Sequence, residues 1–82
     1  MSNNVGTISG LRRFEAVTPT DGTTIEETRA ILIETTGPVR VRGEGDAAPV
    51  TIPVLVGGVW HPMRVVEILD TGTTATTVYA GR

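Results

Sequence analysis

The sequence predicts an all-β fold: a small antiparallel β-sandwich or barrel of about six strands, entered by an extended N-terminal arm. Three observations predict it. Thr, Val and Ile make up 31 of the 82 residues, and branching at Cβ favours pleated strands over helices. Short apolar runs recur at roughly ten-residue spacing, as in small sandwiches. Clusters of Gly, Pro, Asp and Thr separate them, and these are turn residues. Only residues 25–29 hold consecutive helix-tolerant side chains, so no helix longer than about one turn is expected.

Residues 1–11 (MSNNVGTISGL) are polar and lack periodicity, so they read as an arm before a single β domain over residues 12–82. A first strand is predicted over residues 12–18. Thr18-Pro19-Thr20-Asp21-Gly22-Thr23 then turns the chain: Pro19 fixes one φ, Asp21 can bond forward along the backbone, and Gly22 tolerates positive φ. The second strand, residues 29–35, places Ile31 and Ile33 on one face and Ala30 and Leu32 on the other, so both faces are at least half covered. Gly37-Pro38 is expected to break it.

Val39-Arg40-Val41-Arg42 alternates strictly, which marks a strand with one dry and one wet face. After the polar loop Gly43-Glu44-Gly45-Asp46 comes a strand over residues 50–56. Pro53 cannot donate to a ladder and assigns that strand to an edge or a bulge. Gly57-Gly58 turns the chain into the longest predicted strand, residues 60–69. Asp70-Thr71-Gly72-Thr73-Thr74 is a second turn, resembling residues 20–24 by convergent turn chemistry, and residues 76–80 form the last strand.

At 8.6 kDa a lone domain removes only about 60% of its unfolded surface from water. That is marginal, and it favours a subunit that buries further surface against partners. The chain has no cysteine, which excludes disulfides and thiolate metal sites. All seven bases are arginines against nine acids, a net charge of −2. Nucleic-acid binders usually carry a basic excess, so none is assigned as a partner. The longest uncharged run, residues 47–63, is interrupted by Pro49, Pro53 and Pro62 and cannot form a membrane helix. With a polar start, the sequence reads as cytoplasmic when made.

Little in the chain suggests catalysis. His61 is the sole histidine and has no plausible nucleophile or second ligand, so its reading is structural or solvent-facing. Asp21-Gly22 and Glu44-Gly45-Asp46 lack the alternating ligands of a calcium loop and read as plain turns. Glu26 and Glu27 are sequence neighbours, so they diverge rather than form an acid pair. Gly43-Glu44-Gly45 and Gly57-Gly58 lack the lysine and helix of a phosphate cradle. Trp60 is read first as a core filler and second as a subunit contact. The aromatics Phe14, Trp60 and Tyr79 look scattered, which argues against a converging ligand pocket. No enzyme activity, cofactor or metal is assigned.

Four blocks in order, Val17-Thr18-Pro19-Thr20-Asp21 after Phe14, Thr28-Arg29-Ala30-Ile31, Pro62-Met63-Arg64-Val65 and Asp70-Thr71-Gly72-Thr73-Thr74-Ala75, carry a resemblance. Together they make the chain similar to a family of very small tailed-phage virion proteins that includes the head-spike base proteins of gene transfer agents. Matching blocks cover about two-thirds of the chain, and their order is more specific than any one block. The sequence departs from the family pattern at Ile33-Glu34-Thr35-Thr36-Gly37, where an earlier glycine is expected, and in the hairpin at residues 43–49.

The resemblance implies a non-enzymatic subunit on the capsid surface, a head-spike base or a head decoration protein, assembled in the bacterial host cytoplasm. It implies a homo-oligomer, a pentamer or trimer, with the major capsid protein and a spike fibre protein as partners. Strand edges and residues 60–64 and 70–76 are expected to make the contacts. The residues concerned are Arg12, Arg13, Trp60, Pro62, Met63, Arg64, Asp70, Thr71, Gly72, Thr73 and Thr74, with the arm reaching a neighbouring capsid subunit. Two other readings stay open: a neck, tail or baseplate adaptor, and a small carbohydrate- or peptide-binding module.

Overall fold

The computed structural model describes residues 10–82. Seven strands run in chain order as β1 (Phe14–Val17), β2 (Ala30–Ile33), β3 (Gly37–Gly43), β4 (Val50–Leu55), β5 (His61–Pro62), β6 (Val65–Leu69) and β7 (Val78–Gly81). They form two sheets, one ordered β1-β7-β2-β5 and the other β4-β3-β6. Every pairing is antiparallel. Among the described residues there is no helix, as the β-branched composition requires. The expected arm lies outside the described residues apart from Gly10 and Leu11.

The predicted strand over residues 60–69 is corrected: it is two strands in two sheets, and β3 is the longest strand instead. The reason is local. Pro62 has no N–H to continue a ladder, and Thr28 sits at the crossing, fully buried. Its hydroxyl donates to the Met63 carbonyl (2.9 Å) and accepts the Val65 amide (3.1 Å). The chain therefore leaves one sheet at Pro62 and enters the other at Val65.

A second correction concerns Gly37-Pro38. The second strand already ends at Ile33, and Gly37-Pro38 instead opens β3, where the register against β4 slips between Gly37 and Val39. Pro38 and Pro53 fall in that slip, so neither has to donate a ladder bond, and β4 lies at the edge its proline predicted.

Alternation fills the interior. Ile31, Ile33 and Val78 from one sheet meet Val39, Val41, Leu55, Val65 and Ile68 from the other, with Ala75 closing one end. Burying each such aliphatic contributes about 1.5–3 kcal/mol. Residues 18–28 run alongside β6, where the Thr20, Ile25 and Thr28 amides donate to the Ile68, Val66 and Val65 carbonyls at 2.9, 2.7 and 3.0 Å. That segment sheathes the free edge of β6. Among the described residues no strand pairs with the outer edges of β1 and β4.

Candidate functional site

The outward face of the four-stranded sheet is built by strand parity. Val78 and Ala80 point inward and are buried, so Tyr79 and Gly81 point outward. The register Phe14↔Gly81, Gly81↔Ala30 and Ala30↔Pro62 runs a line across this face, and Ala16↔Tyr79↔Leu32 runs a second. The Trp60 indole lies over Gly81, where a Cβ would come within 3.0 Å of the ring and 2.8 Å of Leu11. Its ring centroid is 5.6 Å from that of Phe14, tilted by 44°. Trp60 is thus half-buried on the outside rather than part of the interior between the sheets.

All three aromatics share this one face, which corrects the reading of them as scattered. The register was the missing signal: Tyr79 alternates with buried Val78 and Ala80. Phe14 remains 63% exposed and Tyr79 40% exposed.

One end of this sheet gathers five of the seven arginines in a continuous row of backbone hydrogen bonds. Arg82 donates to the Arg13 carbonyl (2.8 Å), Arg29 to Gly81 (2.8 Å), Met63 to Arg29 (3.2 Å), and Glu44 to Arg64 (3.1 Å). Arg82 is buried, and its guanidinium donates to the Glu15 carboxylate at 2.7 Å and to the Glu26 carbonyl at 3.0 and 3.3 Å. Arg13 pairs with the Glu26 carboxylate, and Arg64 with Glu27 at 3.0 Å. The Arg13 guanidinium holds the Glu26 carboxyl below its ordinary value. Arg12 and Arg29 have no carboxylate partner among the described residues. Arg29, Pro62, Met63 and Arg64 line one open depression at this end, and Arg12, Arg13 and Arg82 line another.

The β4 margin has a different character. Val50, Val54, Val56 and Val59 along β4 and the following turn are each half exposed or more. Between Glu44 and Met63 the sequence holds no arginine, and its acids are Glu44 and Asp46. His61 donates from Nε2 to the Val56 carbonyl (2.7 Å), a structural use of the ring. Among the described residues no group of three or more His, Asp or Glu is placed to hold a metal ion.

In a solved structure described as the capsid of a native GTA particle computed with C5 symmetry, one chain is 34% identical to this one. The match covers 95% of this chain and 90% of that chain, with a TM-score of 0.76. The chain belongs to the gene transfer agent and phage virion protein family. No protein-family model and no curated protein sequence matches it.

In this virion protein the residues singled out from sequence divide into two groups. Arg12, Arg13, Trp60, Pro62, Met63 and Arg64 come together around the aromatic face and the arginine row. Asp70, Thr71, Gly72, Thr73 and Thr74 lie at the other end of β6, packed on β3: the Thr73 hydroxyl accepts the Arg40 amide (2.8 Å), and Thr74 donates to Pro38 (3.2 Å). The virion protein also exposes Phe14, Tyr79 and the β4 valines, which sequence reasoning did not single out. Their apolar type was visible, but which side of a strand each occupies was not.

Proposed function

We propose that this virion protein is a capsid-bound head-spike base or head decoration protein that assembles as a symmetric oligomer on the major capsid protein. The observation that carries the reading is its likeness, over nearly its whole length, to a chain of a GTA capsid. The chemistry agrees: exposed aromatic, aliphatic and arginine side chains suit protein contacts.

Copy number in purified particles tests the position. About sixty copies correspond to one pentamer at each vertex of an icosahedral shell, and far more to full decoration. About six or about twelve would move the protein to the neck or tail axis and overturn a capsid position. For the spike-base role, deletion of the gene should release the fibre from particles whose heads are otherwise complete. Fibres retained on such particles would leave decoration as the capsid role.

A further inference from the structure

We propose that copies of this chain join head to tail: the β1 margin of one, with Phe14 and Tyr79, packs on the β4 valines of the next, and Arg12 faces Glu44. The proposal rests on the symmetric oligomer proposed above and names the surfaces that make it.

Three observations lead there. First, the large exposed apolar side chains fall into two separate sets, Phe14 with Tyr79 and the four valines. These sets belong to different margins, the first to the β1 side of one sheet and the second to β4, an edge of the other sheet, and the turn that follows it. Two unlike patches on one molecule are what a heterologous contact requires.

Second, Phe14 on β1 and Val50 and Val54 on β4 sit on edge strands that nothing among the described residues pairs with, whereas the edge of β6 is sheathed by residues 18–28. An open edge with exposed apolar side chains is an aggregation liability unless a partner covers it.

Third, the charges are complementary and share one end of the strands. The backbone row that starts at Arg13 on the β1 side ends at Glu44, where β3 leads into the loop to β4. Arg12, which has no carboxylate partner among the described residues, therefore lies at the same end of the strands as Glu44. A same-patch contact would instead set Arg12 near another Arg12, which like-charge repulsion disfavours.

Sedimentation of the purified full chain at micromolar concentration tests the proposal. Phe14→Ser and Val54→Ser should each weaken association about tenfold or more, and mixing the two variants should restore dimers but no larger species. Arg12→Glu and Glu44→Arg should each weaken it, while the R12E/E44R double variant recovers it. These charge variants lie on the surface and carry the test if an apolar variant fails to fold. Assembly untouched by Phe14→Ser and Val54→Ser overturns the proposal, as does sensitivity to only one of them. A wild-type chain that stays monomeric yet occupies particles at about sixty copies overturns this contact and leaves the capsid role standing. One that neither associates nor binds particles overturns both.

Discussion

The Asp21 carboxylate clasps the turn at Thr71, accepting the Thr71 hydroxyl at 2.6 Å and the Thr71 and Asp70 amides at 3.1 and 2.7 Å. These bonds, the Thr71 hydroxyl foremost, hold the Asp21 carboxyl below its ordinary value. The two turns that look alike in sequence are thus tied to each other. Gly22 and Gly72 close them at φ +81° and +92°, the left-handed region where glycine is favoured. Asp21→Ala should lower the melting temperature by several degrees and Thr71→Ala by less, since the latter keeps both amide donors. Thermal scans read both, and an unchanged Asp21→Ala would show that the clasp contributes nothing.

Stability should fall in acid. The Glu67 carboxylate accepts the Arg42 guanidinium at 3.0 Å and the Gly22 amide at 2.7 Å, and these partners, Arg42 first, hold its carboxyl below the ordinary 4.5. Asp21 and Glu26 are shifted in the same direction. A carboxyl depressed in the folded state contributes stability that is fully present above its unfolded value and lost as pH falls through its folded value. The denaturation midpoint should therefore be flat near neutrality and drop below about pH 4. Glu67→Gln should start lower and drop less.

Thr28→Val keeps the shape of the side chain but leaves the buried Val65 amide and Met63 carbonyl without their partner. A loss of about 1–3 kcal/mol is expected by chemical denaturation, with Thr28→Ser recovering most of it. Equal stability of the valine and threonine forms would mean that packing alone sets the sheet crossing.

Gly81→Ala drives a methyl group into Leu11 and the Trp60 ring. The cost should be about 1–3 kcal/mol. Because Trp60 is the single tryptophan, its fluorescence should shift to the red as the indole lifts off the sheet. Unchanged emission would show that the ring does not rest on Gly81.

At Pro53 and along Val39-Arg40-Val41-Arg42 the fold was legible in the chain. Pro53 announced an edge or bulge, and β4 is both. The Val39-Arg40-Val41-Arg42 alternation announced one dry face, and Val39 and Val41 are buried. Information held in pairings was not legible. The split of residues 60–69 depends on Thr28, more than thirty positions away, whose hydroxyl takes up the polar groups at the crossing. The aromatic face depends on which of Val78, Tyr79 and Ala80 point inward, and that parity is set only when β7 docks between β1 and β2. The family blocks lead to the capsid, but the side chains that would make contacts come together only through strand register.

The sheath that residues 18–28 lay along β6 limits the valence of the molecule. With the head-to-tail contact proposed above, a block with two adhesive sides and its β6 flank dressed grows along one dimension only. It closes into a hoop when the angle between the sides divides a full turn, and extends as a thread when it does not. Stripping that sheath would give the block a third sticky side, and sheets or clumps would replace hoops.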